Sequence, residues 1–341
     1  MKTRTGNINK LISQINKLLK EADFKTFVFK TPSCNYCYDL IVKKNNIVFI
    51  VKIIPNIDNL TDSLTEGIKS LSQLLNSKPL LIGIKNRYQN LEENTIYIRN
   101  DLPIISFKTL KDILKKNLYP YILARRGGGV IFLNGERMKS LRKEKRLSRK
   151  DLSEEIGVTK RTICSYESER MRPSSETAEK IIDVLDDVSQ EIFKKIDIFD
   201  WKIKFSFGEE HTFEKSELSS FENHLRMLIN DIGITSLWYK KGLAPFELSI
   251  LSRDYGKEKI ENFYPLFSNL SEKEKRLKDL NLQALKHFTK FFHKNALFIV
   301  NNEFKIPRSI LKDRIPIIKV RDLEKIDDEE EFIQFIKTGT T

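Results

Sequence analysis

The stretch Leu147-Ser-Arg-Lys-Asp-Leu152-Ser-Glu-Glu-Ile156-Gly157-Val158-Thr159-Lys160-Arg161-Thr-Ile163-Cys-Ser165-Tyr166-Glu167 decides how this chain is read. Leu152 and Ile156 repeat at helical spacing, and the small Ser153 between them lets another helix come close. Ser148 carries the hydroxyl of an N-cap for a helix starting at Arg149. Gly157 supplies the positive φ that a tight turn between helices requires, and Val158 plugs that turn into a core. Thr159 caps the next helix, Lys160 to Ser168, with Ile163 and Tyr166 facing inward. Upstream, Asn134 to Lys145 reads as a helix with Met138 and Leu141 inward. Downstream, Arg170-Met-Arg-Pro173 breaks the helix. Ser174 or Ser175 then caps another whose buried face is Ala178, Ile181, Ile182 and Leu185.

This pattern resembles the helix-turn-helix domains of the phage Cro and repressor family, also called the xenobiotic-response-element family. Ser153 stands where that family usually has Ala and is small enough to keep the packing. In this fold the third helix lies in the major groove with its N-terminal end toward the bases. The resemblance therefore implies that Lys160, Arg161 and Ser165 face base edges, that Thr159 sits at the groove edge, and that Arg149 meets a phosphate or base. It also implies that Arg170 and Arg172 track the phosphate backbone. Glu167 is expected to hold the helices through an ion pair or cap, because phosphate would repel it. Between Glu136 and Pro173 there are twelve Lys/Arg against seven Asp/Glu, so the basic excess concentrates here.

The whole chain has 341 residues, 60 Lys+Arg against 47 Asp+Glu and a net charge of +13. That length predicts two or three folded units, and 40% hydrophobic residues are enough for real cores. No run of about 18 apolar residues and no leader pattern is present, so a cytoplasmic, nucleoid-associated protein without membrane partners is expected. Three cysteines, Cys34, Cys37 and Cys164, predict no disulfide scaffold. The first 124 residues alternate amphipathic helices, beginning with Asn7 to Lys20, and apolar strands. Among the strands are 37–44 and 47–54, joined through Asn45-Asn46, then 79–84 and 103–106. Arg125-Arg-Gly-Gly-Gly129 reads as part of a linker over 125–133, and 134–190 as the helical domain. From 200 to 341 α/β character returns, with strand-like 201–207, 244–251, 296–300 and 315–318. Tyr38–Val42, Pro79–Gly83 and Leu102–Ile113 match Phe246–Ile250, Ala296–Val300 and Ile315–Ile326 in the same order. The fold class expected is thus two divergent α/β units flanking a central four- to five-helix, lambda-repressor-like domain.

An enzyme is the competing class. Asp39, followed by Ile50-Val51-Lys52 on the next strand, resembles the restriction-nuclease pattern in which an Asp and a Glu-x-Lys hold a divalent metal. Position 50 is Ile, so the second carboxylate is missing and a degenerate, noncatalytic unit is expected. The second unit has Glu247 and no evident Glu-x-Lys. Cys34-x-x-Cys37 lacks a second ligand pair, and His211, His224, His287 and His293 are scattered. No catalytic residue, cofactor or metal is expected. The whole arrangement resembles the archaeal HTH-type transcriptional regulatory proteins, which implies double-stranded DNA as partner and a homodimer as the working form, with no effector ligand assigned. The alternatives are a nuclease targeted by its helix-turn-helix and a nonspecific nucleoid protein.

Overall fold

The computed structural model describes residues 2–28, 36–125, 128–187, 191–201, 218–239, 242–253, 263–272, 279–304 and 315–338. Cys34, His211, Arg126, Gly127 and nearly all of the expected strand 201–207 lie outside them. The chain divides into two compact units, one of residues 1–26, 40–65 and 78–204, the other of 27–39, 66–77 and 205–341.

In the first unit, α1 (Lys2–Glu21) buries Ile15, Leu18 and Leu19, the inward stripe of its sequence. The strands are β1 (Lys25–Val28), β2 (Leu40–Lys44), β3 (Ile47–Asn56), β4 (Ser77–Lys85), β5 (Thr95–Arg99) and β6 (Leu102–Ser106). Helix α2 (Asp62–Leu74), which the division into units assigns from residue 66 onward to the second unit, precedes β4 in sequence, and α3 (Phe107–Lys116), capped by Ser106, follows β6. Lys44 pairs with Ile47, so Asn45-Asn46 forms the two-residue hairpin turn, with Asn45 at φ 54°. The expected strand 37–44 starts only at Leu40.

The segment expected as a linker is instead structured. β7 (Ile122–Arg125) and β8 (Gly128–Ile131) form an antiparallel hairpin and complete an eight-stranded sheet in the order β1-β2-β3-β4-β6-β5-β7-β8. Glycines in β8 hide the strand in the sequence. Gly128 takes a φ of 128° with open space around it, whereas Gly129 is there for room, since a Cβ on it would stand 2.6 Å from Ile122 Cγ2 and 3.2 Å from Ser175 Oγ.

The central helices follow as α4 (Gly135–Glu144), α5 (Arg149–Ile156), α6 (Lys160–Glu167) and α7 (Ser175–Leu185). Asn134, Ser148, Thr159 and Ser174 cap them, and Gly157 sits at φ 81° as anticipated. Their core joins Met138, Leu141, Leu152, Ile156, Ile163, Tyr166, Ala178, Ile181 and Leu185. It also takes in Ile131, Leu133, Ile192 and Phe193 from outside the helices. Tyr121 stacks on Phe193 with ring centroids 4.2 Å apart. The strap after α7 runs back along the same edge, where Lys194 N–H donates to Phe132 O and Ile196 N–H to Pro120 O at 2.7 and 2.8 Å.

The second unit holds α8 (Ser220–Asp231), β9 (Ile234–Trp238), β10 (Leu248–Ser252), β11 (Leu266–Ser271), α9 (Asp279–Phe292), β12 (Asn295–Val300) and β13 (Ile317–Lys319). The sheet order is β13-β12-β11-β10-β9, antiparallel across β9, β10 and β11 and parallel from β11 to β13. Helices Val320–Leu323 and Glu329–Thr338 close it. Phe246, Phe267 and Phe288 pack together in the core, with centroids 4.6–5.3 Å apart.

One contact in the first unit sets the position of α6. A Cβ on Gly135, the first residue of α4, would lie 2.2 Å from Glu167 O and 2.7 Å from Glu167 C, both rigid backbone. Gly135→Ala is expected to destabilise the helical domain by about 1–3 kcal/mol, since the helices must move apart. Urea unfolding monitored by circular dichroism measures this, and an unchanged midpoint would show that the ends of α4 and α6 are not in register.

Candidate nucleic-acid interface

Helix α6 has one sealed face and one open one. Ile163, Tyr166 and Glu167 are buried, whereas Thr159, Lys160, Arg161 and Cys164 are exposed and Ser165 is half-buried. Lys160 and Arg161 occupy the first turn, where the helix's unpaired N–H groups and positive dipole end add to their charge. Among the described residues neither has a carboxylate within ion-pair distance, and the same holds for Lys139, Lys143, Arg146, Arg170 and Arg172.

The hydroxyls are already engaged. Thr159 Oγ1 accepts from Thr162 N–H at 3.1 Å as the helix cap, and Ser165 Oγ donates to Arg161 O at 3.0 Å. Arg149, expected at a phosphate or base, has its Nε 2.7 Å from Glu167 Oε2, with its side chain 35% exposed. Arg172 lies with its guanidinium carbon 3.7 Å from the centre of the Phe132 ring. Arg170 is exposed in the loop after α6.

The expected helix-holding role of Glu167 is seen, with two partners, Arg142 and Arg149, that the sequence did not disclose. Arg142 of α4 is buried and donates from Nε to Glu167 Oε1 at 2.6 Å, while its NH1 donates to Leu147 O at 2.8 Å. A carboxylate on α6 thus ties α4, α5 and the turn before α5 together. Arg142 looks in the sequence like any surface cation of a basic helix, and only the packing reveals its use. Burial of Glu167 acts to raise its pKa. The hydrogen bonds and charges of Arg142 and Arg149 outweigh burial, and the group sits below the ordinary glutamate value.

Residues 8–120 match the PD-(D/E)XK superfamily domain, and residues 138–190 match the helix-turn-helix family. A "Putative HTH-type transcriptional regulatory protein" of Methanobrevibacter smithii is 30% identical over 332 residues, covering 97% of both chains. The chain belongs to this family. Proteins of the same name in Methanocaldococcus jannaschii and Pyrococcus furiosus are 28% and 25% identical, each over 96% of both chains. Among solved structures, the SinR protein/SinI protein complex is 27% identical over 29% of this chain and 82% of that one, with a TM-score of 0.17.

The positions compared in sequence with a nuclease pattern lie on and beside β2 and β3. Ile50 is fully buried on β3, and Lys52 two residues on is also buried. Asp39 directly precedes β2. In the second unit, β10 and β11 pair Leu248 with Ser268 as β2 and β3 pair Leu40 with Val51. That correspondence sets Glu247, Phe267 and Asn269 where Asp39, Ile50 and Lys52 stand. Phe267 is fully buried, Asn269 Nδ2 donates to Pro245 O, and Glu247 Oε2 accepts from Leu270 N–H. Among the described residues no group of three or more His, Cys, Asp or Glu is arranged to hold a metal, and no helix is long and apolar enough to cross a membrane.

The lowered pKa of Glu167 makes the helical domain acid-sensitive. Its stabilisation is fully present above the unfolded-state glutamate pKa of about 4.3 and is lost as pH falls through the lower folded-state value. Glu167→Gln, which leaves the buried Arg142 without a counter-charge, should cost about 3 kcal/mol at neutral pH. The gap from wild type should then narrow as the pH drops below about 4. Chemical denaturation across pH 3–7 measures it, and parallel stability curves would show that the carboxylate does not carry this dependence.

Proposed function

We propose that the protein is a sequence-specific DNA-binding transcriptional regulator that reads the major groove through the first two turns of α6 and works as a homodimer in the cytoplasm. The observation that carries this reading is the open amino end of α6: Lys160 and Arg161 are exposed and unpaired among the described residues, on a helix whose opposite face is locked into the core. Both side chains suit guanine O6 and N7, and Arg does so with two parallel hydrogen bonds. Arg170 and Arg172 suit phosphates, which fix register without reading sequence. Arg149 serves first as a holder of α6 through Glu167, and its exposed portion reaches DNA only from that fixed position. Thr159 and Ser165 flank the cations; Thr159 Oγ1 is already bonded to both the N–H and the hydroxyl of Thr162, and Ser165 Oγ to Arg161 O, which leaves Ser165 lone pairs for a base or water. One such module reads a short half-site, and two-fold pairing doubles the contact.

The α/β units are read as noncatalytic descendants of one duplicated nuclease-like unit that now serve assembly or partner binding. Support comes from their matching strand orders, β1-β2-β3-β4-β6 and β13-β12-β11-β10-β9 taken in reverse. The apolar Ile50 and Phe267 at equivalent ladder positions add to it. The superfamily match over residues 8–120 keeps a second reading, a targeted nuclease, open to test. Plasmid cleavage that needs Mg²⁺ or Mn²⁺ and disappears in Asp39→Ala would establish it.

Selection of bound sequences from random duplex, with stoichiometry measured on the recovered site, tests the main reading. The expected result is a two-fold symmetric site bound by two chains. Arg161→Ala should then cost about 1–3 kcal/mol on that site and relax its sequence preference, whereas Arg170→Ala should weaken all duplexes alike. Equal losses for Arg161→Ala on selected and random duplex would overturn it.

A further inference from the structure

The end of β8 lies against the loop that carries Arg172. Val130 forms an antiparallel bridge with Ser174, and Ile131 N–H donates to Pro173 O at 3.0 Å. One step further along, that register sets Phe132 opposite Arg172, and there the guanidinium carbon stands 3.7 Å from the centre of the Phe132 ring. The backbone is held at this point from both sides. Phe132 N–H donates to Tyr121 O at 3.1 Å and Phe132 O accepts from Lys194 N–H at 2.7 Å, so two other segments fix the residue that bears the ring. Arg172 precedes Pro173, whose ring disfavours the helical conformation in the residue before it and so favours an extended course alongside β8.

The contact holds Arg172 without spending its hydrogen bonds. A cation over an aromatic face is attracted by the ring's electrons, so the five N–H donors of the guanidinium stay available. Arg172 is exposed, and among the described residues its side chain has no carboxylate within ion-pair distance and makes no hydrogen bond. Glu169, the carboxylate nearest to it along the chain, is occupied elsewhere: its oxygens accept from Lys194 Nζ at 2.6 Å and from Gly135 N–H at 3.3 Å. A long exposed side chain gives up rotamer freedom when it binds an anion, and a ring that restrains it beforehand lowers that cost.

We propose that Phe132 is a positioning residue for DNA binding: its ring, carried at the end of β8, holds Arg172 poised for a backbone phosphate of duplex DNA beside the bases read by α6. This rests on the reading of α6 and Arg172 given above. The eight-stranded sheet thereby takes part in binding through a side chain that lies ahead of the first helix of the helix-turn-helix. Because phosphates carry no sequence information, the brace adds affinity and orientation and leaves base preference unchanged.

The test uses the full chain, a labelled duplex carrying the selected site, a scrambled duplex of equal length, and a KCl titration. Arg172→Ala should weaken both duplexes by a similar factor, roughly five- to tenfold at physiological salt, and reduce the slope of log K against log[KCl] by about 0.9. Phe132→Leu, which keeps the charge of Arg172 and an apolar side chain beneath it, should weaken both by about two- to fivefold, and should cost nothing further in the Arg172→Ala background. Phe132→Tyr, which keeps the ring, should bind like wild type. Phe132→Met serves the same comparison if the leucine variant does not fold. Ethylation interference should show one and the same phosphate losing its effect in Arg172→Ala and Phe132→Leu. A ring that only supports the fold would cost the same in both backgrounds; that result, or wild-type affinity for Phe132→Leu, overturns the brace. If Arg172→Ala binds both duplexes with wild-type affinity and slope while Arg161→Ala loses its sequence preference, the brace is overturned and the reading of α6 stands. If the wild-type chain prefers no duplex over another, the reading of α6 falls and the brace falls with it.

Discussion

A single buried carboxylate organises the helix-turn-helix of this molecule. Glu167, at the last turn of α6, receives Arg142 from α4 on one oxygen and Arg149 from α5 on the other. Its own backbone carbonyl lies where any side chain on Gly135 would collide. A buried charge left unpaired costs several kcal/mol, so the three helices cannot drift apart without exposing that penalty. The same clasp turns α6 so that its apolar residues go inward and its first-turn cations outward. Charge pairing here specifies geometry: Arg142 and Arg149 hold the helix through Glu167, while Lys160 and Arg161 at its open end stay exposed.

The helical domain is not a free-standing bead on a string. Ile131 and Leu133 before it and Ile192 and Phe193 after it complete its core, and main-chain hydrogen bonds to Phe132 and Pro120 run along the sheet edge. This makes the orientation of α6 a property of the first unit as a whole. In the second unit a five-stranded sheet repeats the pairing pattern of β2 and β3 in β10 and β11. At equivalent ladder positions the two sheets bury Ile50 and Phe267.

Much of the functional segment was legible because its signals are local. Ser148, Thr159 and Ser174 each cap the helix that follows them, and Gly157 adopts the left-handed conformation that its turn needs. What escaped reading depends on partners distant in sequence. β8 is glycine-rich and reads as a hinge, yet it is a strand because β7, Pro173 and Ser174 lie beside it. β9 and β11 interleave serine with apolar residues, as in Ile234-Thr-Ser-Leu-Trp238 and Leu266-Phe-Ser-Asn-Leu-Ser271, which blurs the alternation of a half-buried strand. Among the candidate site residues, Lys160, Arg161 and Arg170 are exposed. Arg149 and Arg172 do not stand alone: one is bound to a carboxylate and the other rests on a ring, and no spacing rule reveals either contact.

The stacking of Tyr121 on Phe193 has a practical corollary for anyone transplanting this reader. Cut at the borders that the helical periodicity marks, the excised piece would leave behind both halves of that aromatic clasp or one of its rings, together with the strand that braces its loop. The transferable cassette begins near Pro120 and ends near Ile196, where the last backbone tie to the sheet is made.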